Sequence, residues 1–185
     1  ARESGRLIAQ MNVVKADVYI IAVPTPLKEH KRADLSFVYS AIRDVAEVIS
    51  QNCLIVIEST CPVGTTSRVV EFLKQRRPDL KFPDVSEPFE DQCVRIAYCP
   101  ERVLPGKTIE ELESVDRLIG GFTGKCSDRA YELYSQYTRA RCVKTDSKTA
   151  ELCKLIENSY RDINIAFANE VSMICATHEI DTWKL

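Results

Sequence analysis

Residues 17–26 read Asp-Val-Tyr-Ile-Ile-Ala-Val-Pro-Thr-Pro, and this stretch decides the class of fold. It is a continuous apolar run that ends at two prolines. A strand with this composition is buried on both faces, and such strands are typical of parallel sheets covered by helices. The stretch therefore predicts an α/β domain in which residues 17–23 form an interior strand.

Further strands alternate with helical patterns along the chain. Four more strands are predicted, at residues 54–58, 94–98, 117–120 and 142–145. Three helices are predicted between them, at residues 35–49, 65–76 and 127–137. The second of these helices has Thr65 or Thr66 as its expected N-cap. Strands that alternate with helices predict βαβ units, and hence a doubly wound parallel sheet.

The pattern changes after Thr145. From Ser147 to about His178 the chain contains no glycine or proline, and Asp146 or Ser147 is a suitable N-cap. At 1.5 Å per residue this helix is about 45–50 Å long, which exceeds the length of a crossover helix. We expect it to link domains or to pair with a partner. The chain thus divides into residues 1–145 and a long central helix with the start of a next helical element, residues 146–185.

Composition argues against several classes of protein. The net charge of -2 and the pI near 5.8 argue against nucleic-acid binding, which needs a concentrated positive field. No apolar run reaches the roughly 20 residues of a membrane span, and no signal peptide opens the chain. We therefore expect a cytoplasmic protein that binds neither membrane nor nucleic acid.

The eight cysteines follow no metal-binding spacing, and the two histidines lie near none of them in sequence. No metal site is predicted. Most of the cysteines occupy apolar settings, so we expect reduced, buried thiols.

Polar, turn-forming residues follow each of the three apolar strands: Pro24-Thr25-Pro26, Ser59-Thr60 and Pro100-Glu101-Arg102. Turn formation alone explains any one of these loops. Ligands of parallel sheets bind outside the carboxyl ends of the strands, however, and all three loops are expected at that edge. Taken together they predict a binding site.

The long helix carries a second group of polar residues. Lys154, Asn158 and Arg161 stand at positions i, i+4 and i+7, within an arc of about 60° around the helix axis. The alternative to a site is a solvated face. A stripe of donors would suit an oxygen-rich ligand such as a sugar or a phosphate. The opposite face is predicted to be core and holds Leu152, Leu155, Ile156, Ile163, Ala166, Phe167 and Ile174.

Four segments carry a resemblance to a known family. They are Ala-Val-Pro-Thr-Pro at 22–26, Glu-Ser-Thr-Cys-Pro-Val-Gly at 58–64, Ala-Tyr-Cys-Pro-Glu-Arg-Val-Leu-Pro-Gly at 97–106, and residues 151–170 of the long helix. In order and spacing they resemble the UDP-glucose/GDP-mannose dehydrogenase family over nearly the whole chain. The resemblance implies a partial Rossmann-like domain followed by the central helix of that family.

The resemblance also implies a reaction and a set of site residues. Enzymes of this family oxidise the C6 alcohol of a nucleotide sugar to a carboxylate in two hydride transfers to NAD. By resemblance, Thr25 and Thr60 bind NAD, and Lys154, Asn158 and Glu101 are catalytic. The residues implied to bind the UDP-sugar substrate are Arg102, Val103, Lys154, Asn158 and Arg161.

The form of residues 100–106 resembles the branch that acts on UDP-N-acetylmannosamine, for surface polysaccharide synthesis. UDP-N-acetylglucosamine and UDP-glucose remain alternative substrates. The UDP-glucose branch has a second glutamate where this chain has Pro105, so a mechanism that relies on it does not transfer. A homodimer through the central helix is expected. A non-catalytic chain that dimerises or binds a ligand is the alternative from another class.

By resemblance the chain is an incomplete piece of such an enzyme. The family's glycine loop would precede Ala1, in keeping with only six glycines here, and its nucleophilic cysteine would follow Leu185. We therefore expect the chain to be inactive alone. Cys61 and Cys99 lie near the predicted site but are expected to be packing residues rather than nucleophiles.

Overall fold

A single five-stranded sheet organises the protein. The computed structural model describes residues 5–86, 92–102 and 113–185, and its strand order is β1-β2-β3-β4-β5. The strands are β1 (Val18–Ile21), β2 (Leu54–Ile57), β3 (Arg95–Tyr98), β4 (Arg117–Gly121) and β5 (Cys142–Asp146). The helices in the described ranges are α1 (Ser36–Ala46), α2 (Thr65–Arg76), α3 (Gly124–Tyr134) and α4 (Ser147–Thr177), with 3-10 turns at Glu29–Lys31 and Thr182–Lys184. The predicted α/β fold is confirmed.

The middle of the sheet is covered on both faces, as the apolar strands predicted, but the same prediction is wrong for β1, which is an edge strand with Ile20 48% exposed. All four residues of β2 are buried. Ile55 and Ile57 pack with α1 and α2, whereas Leu54 and Val56 point to the other face and pack with α3. Alternate side chains of one strand thus enter two separate cores, which is why β2 shows no polar alternation.

The sheet is mostly parallel, with one antiparallel pair. β1, β2 and β3 are parallel and in register, so that Ile21, Ile57 and Tyr98 lie side by side at their carboxyl ends. β4 is antiparallel to β3, and β5 is parallel to β4. The starts of β4 and β5 therefore lie at the edge where β1–β3 end. A five-residue strand carries no signal of its direction in the sequence, so this reversal was not predicted.

The N-terminus of α2 is capped from a distant part of the chain. The prediction that Thr65 or Thr66 caps it is wrong, because both lie inside α2 and Gly64 occupies the N-cap position with φ 86°. The carboxylate of Glu151 in α4 accepts hydrogen bonds from Gly64 N (2.5 Å), Thr66 N (2.7 Å) and Thr66 Oγ1 (2.7 Å). A negative group is favoured here, since the first N–H groups of a helix have no partner within it.

The first turns of α4 pack closely on the sheet. The helix begins as predicted, with the Asp146 carboxylate accepting a hydrogen bond from Thr149 N at 2.9 Å. Gly120 of β4 allows the approach, because a Cβ atom there would lie 2.5 Å from the Cβ of Ala150. The helix is thus fixed against β4 within its first turn.

Further along, α4 extends away from the sheet. The face predicted to be core is mostly exposed, and Phe167 is 70% exposed. Leu152, Ile156, Ile163 and Ile174 are also exposed. The prediction of core was wrong because a helical period identifies an apolar face but not the surface that covers it. The described residues supply no such surface.

Glu151 provides a test of this arrangement. Replacing it by alanine leaves three donors without this acceptor, two of them buried, so we expect Glu151→Ala to lower the free energy of unfolding by about 2–4 kcal/mol. Glu151→Gln keeps an acceptor oxygen and should lose less. Urea denaturation measures both, with Glu170→Ala on the exposed part of α4 as the control. A Glu151→Ala variant as stable as the control would contradict the capping role.

Candidate functional site

The loops after β1 and β2 are joined by a buried hydroxyl. Ser59 Oγ accepts a hydrogen bond from Val23 N and donates one to Val23 O, each at 2.8 Å. These bonds hold the segment that contains Thr25 against the segment that contains Thr60. Both threonines are half-buried at the carboxyl edge of the sheet. Hydroxyl donors held at this edge fit a dinucleotide, which binds outside the carboxyl ends of such strands.

The loop after β3 meets the central helix through Lys154. The Nζ of Lys154 donates a hydrogen bond to the backbone O of Glu101 at 2.5 Å. The structure therefore brings together two residues that the sequence placed 53 positions apart. Burial lowers the pKa of the Lys154 ammonium from its ordinary value, and the carboxylates of Glu157 and Glu101 act in the opposite direction.

A second contact ties the same loop to the same helix. Arg102 Nη2 forms an ion pair with Glu157 Oε1 at 2.5 Å, and Arg102 Nη1 donates to Asp116 O at 3.0 Å. The guanidinium thus bridges the helix and the start of β4. Lys154 and Arg102 both line one cleft, which therefore carries at least two cations.

The cleft has a volume of about 660 Å³ and runs along the part of α4 that extends from the sheet. It is lined by Arg102, Val115, Lys154, Glu157, Tyr160, Arg161, Asn164, Ile165 and Ala168. Its walls combine three cations, one carboxylate that is paired with Arg102, an amide and apolar side chains. That chemistry suits a ligand with anionic oxygens and some apolar surface.

The other predicted site residues are placed differently. Arg161 is exposed and lines the cleft, whereas Asn158 is exposed and is not among its lining residues. Val103 lies outside the described residues. Of the three residues Lys154, Asn158 and Arg161, the first and the last therefore line the cleft.

Sequence reasoning missed a buried charged group behind the site. Arg117, the first residue of β4, is 6% exposed. Its Nη2 lies 3.5 Å from Glu101 Oε2, and its Nη1 lies 4.0 Å from Glu58 Oε1. The guanidinium carbon lies 4.9 Å and 5.5 Å from the ring centroids of Tyr134 and Tyr137. The only signals in the sequence were Arg117 at the start of one apolar strand and Glu58 at the end of another.

Glu58 shares this buried environment. The hydroxyl of Tyr134 donates a hydrogen bond to Glu58 Oε1 at 2.5 Å. Burial raises the pKa of the Glu58 carboxyl above its ordinary value, and the negative charge of Glu101 adds to that effect. Arg117 lies between these two carboxylates and offsets their repulsion.

The cysteines closest to the site are buried. Burial raises the pKa of the Cys61 thiol to about 12, and burial also raises the pKa of Cys99. A thiol acts as a nucleophile only as the thiolate. This environment supports packing roles for both. All eight cysteines are free thiols, and six of them are buried.

Comparison with known proteins gives two family matches. Residues 1–138 match the UDP-glucose/GDP-mannose dehydrogenase family, NAD binding domain, and residues 148–185 match the central domain of the same family. The expectation of NAD is thereby confirmed at the level of the family. None of the described helices combines the length and hydrophobicity needed to cross a membrane.

Similar proteins cover the whole chain. UDP-N-acetyl-D-mannosamine dehydrogenase of Escherichia coli (strain K12) is 51% identical over 185 residues, which are 100% of this chain and 44% of that protein. NDP-N-acetyl-D-galactosaminuronic acid dehydrogenase of Ralstonia nicotianae is 48% identical over 100% of this chain and 43% of its own length. The chain thus spans less than half the length of these relatives.

Solved structures agree with the fold. The UDP-N-acetyl-mannosamine dehydrogenase of Staphylococcus aureus superposes with a TM-score of 0.83 at 34% identity, over 99% of this chain and 43% of that one. The UDP-D-ManNAc dehydrogenase of Pyrococcus horikoshii superposes with a TM-score of 0.82 at 36% identity, over 92% of this chain and 38% of that one.

Thiol labelling tests the packing role of Cys61. With a pKa near 12, only about one Cys61 in ten thousand is a thiolate at pH 8, and burial further blocks the reagent. We expect iodoacetamide at pH 8 to modify the partly exposed Cys153 well before Cys61. Mass spectrometry of the digested protein measures both rates. Equal rates under native conditions would mean that Cys61 is accessible and activated.

Proposed function

Since this chain belongs to the UDP-glucose/GDP-mannose dehydrogenase family, we propose that it forms part of an NAD-dependent enzyme that oxidises C6 of UDP-N-acetylmannosamine to a carboxylate. One observation carries the proposal. The Glu101 carbonyl accepts a hydrogen bond from the half-buried ammonium of Lys154, which lines a cleft together with Arg102 and Arg161. Such a cleft suits a sugar with a diphosphate.

Lys154 and Asn158 act on the reacting oxygen in this proposal. The C6 oxygen becomes negative as its proton leaves ahead of the hydride, so a fixed cation and an amide donor stabilise the alkoxide that forms. The Glu101 carbonyl contributes by orienting the ammonium before substrate arrives. Asn158 lies one turn further along α4, outside the lining of the cleft, and in this proposal its amide turns towards the same oxygen when the substrate is bound.

Thr25 and Thr60 hold NAD in this proposal. Two NAD⁺, bound one after the other, would each accept one of the two hydrides that C6 gives up in passing from alcohol to carboxylate, and water would supply the second carboxylate oxygen. The bonds of Ser59 support this role, because they fix both threonine segments at one edge of the sheet. We divide the chain into residues 1–145 for cofactor binding and 146–185 for the central helix. The two family matches, which end at 138 and begin at 148, support that boundary.

Arg102, Val103 and Arg161 bind the UDP-sugar, with Lys154 and Asn158 beside them. The identity of 51% to the mannosamine enzyme of Escherichia coli supports the choice of sugar. The 48% identity to a galactosaminuronic acid dehydrogenase favours another UDP-N-acetylhexosamine as a second candidate. UDP-N-acetylglucosamine and UDP-glucose also stay open. Initial rates on a panel of these UDP-sugars separate the possibilities.

Assembly and location complete the proposal. We infer a homodimer through α4, because its exposed apolar face needs a covering surface. Eight free thiols suit a reducing compartment, which supports a cytoplasmic enzyme. The uronate product would serve as a precursor of surface polysaccharide. A non-catalytic chain that only dimerises or binds ligand is the alternative, and the kinetics below separate the two.

Lys154→Ala in the full-length protein tests the catalytic role. We expect kcat to fall by roughly 10²–10⁴, since the interaction strengthens as charge develops on the C6 oxygen. The KM for the sugar should change less. Steady-state NADH formation measures both, and Lys148→Ala on the exposed surface of α4 is the control. A variant that keeps most of its kcat would remove Lys154 from the mechanism.

Arg161→Ala tests substrate binding separately. If Arg161 contacts the ground-state UDP-sugar, its loss should raise KM with a smaller effect on kcat. A solvated face predicts instead that neither parameter changes. The same NADH assay reads this variant, and an unchanged KM would place Arg161 outside the binding site.

Phe167→Asp tests the dimer. A buried carboxylate at an apolar contact is costly, so we expect this variant to shift the protein towards monomer. Sedimentation at tens of micromolar measures the mass, against 20.9 kDa for one copy of this 185-residue chain. Asn169→Asp adds the same charge on another side of α4 and serves as the control. A monomeric parent protein would overturn the dimer itself.

A further inference from the structure

Arg117 occupies a position that stability alone does not require. A buried ion pair can often be replaced by apolar side chains at no cost to the fold, because desolvation cancels much of the attraction. Arg117 nevertheless sits among two carboxylates and two aromatic rings at the edge that carries the site. We propose that Arg117 is a positioning residue, which fixes Glu101 so that its carbonyl, and not its carboxylate, holds the ammonium of Lys154.

The guanidinium is suited to this task. It is planar, so it can lie against aromatic rings and still direct its N–H groups to carboxylates. Its carbon lies over the rings of Tyr134 and Tyr137, and its two Nη atoms lie near Glu58 and Glu101. A lysine has one point charge and no plane, and cannot do both. Glu58 is itself held by the hydroxyl of Tyr134. The orientation of Arg117 is thus set from several directions.

Glu101 is in turn held at both carboxylate oxygens. Its Oε2 faces Arg117 at 3.5 Å, and its Oε1 accepts a hydrogen bond from Arg102 N at 2.7 Å. With the carboxylate directed to these partners, the backbone O remains for Lys154 Nζ. Loss of Arg117 frees the carboxylate to pair with the ammonium directly, which is the stronger interaction.

The expected effect of losing Arg117 is a change in the pKa of the Lys154 ammonium. The charged groups that act on it are Glu101 and Arg102 from the loop after β3, and Glu157 and Arg161 from α4. When Glu101 moves closer, its negative charge raises the pKa of the ammonium, and the ion pair withdraws that ammonium from the cleft. A purely structural arginine would lower stability without moving this pKa in the folded protein.

Arg117→Lys in the full-length protein is the first variant. Lysine amines are labelled competitively with acetic anhydride over a range of pH, and the labelled peptides are measured by mass spectrometry. The extent of labelling gives the titration midpoint of the Lys154 amine. We expect this midpoint to rise. The kinetic part rests on the proposed function, and there we expect kcat to fall roughly 10- to 100-fold with the KM for NAD unchanged. A raised midpoint in a protein that oxidises no UDP-sugar would sustain the inference and overturn the proposed function.

If the Arg117→Lys variant does not fold, the inference is tested with Tyr137→Leu instead. The Tyr137 ring is 43% exposed, so its loss loosens the guanidinium with little damage to the core. Tyr131→Leu is the matched control, because Tyr131 is 40% exposed and its ring lies under Lys144 instead. We expect the Lys154 midpoint to rise in Tyr137→Leu and not in Tyr131→Leu. An unmoved midpoint in a folded variant, with or without a loss of kcat, overturns the inference.

Discussion

The carboxylate of Glu151 is the interaction on which the site depends. It is completely buried, and it completes the N-terminus of α2 through Gly64 and Thr66. A buried carboxyl group is stable in such a place only with its hydrogen bonds made, so the position of α4 relative to the sheet is held within narrow limits. Gly120 reinforces this limit, because it brings the first turn of α4 against β4.

The site follows from that constraint. Lys154 stands one turn beyond Glu151, so a capped α2 sets where the ammonium emerges at the carboxyl edge of the sheet. The loop after β3 meets it there, through Glu101 to Lys154 and through Arg102 to Glu157. The position of α4 is set by its packing on the sheet and by the capping of α2. The position of the loop after β3 is set by its contacts with the charged side chains of α4. The two together define a cleft that three cations line.

Much of the fold could be predicted from local patterns, because burial on two faces leaves a direct trace in the sequence of β2. The start of α4 was likewise visible, since Asp146 caps its own neighbours. Features that depend on distant residues were not visible. Glu151 finds its partners 85 to 87 positions away, and nothing local marks it as a cap. The same holds for Arg117, whose partners come from three separate elements.

The free part of α4 also has a mechanical consequence. Beyond Glu157 the helix continues for about 20 residues, which is a rigid arm of about 30 Å. A tilt of about 5° at the packed end would displace the far end by about 2–3 Å, by the geometry of a rod of this length. The few contacts around Glu151 therefore set the direction in which α4 extends from the sheet. A small shift in these contacts would cause a larger displacement at the far end of the helix.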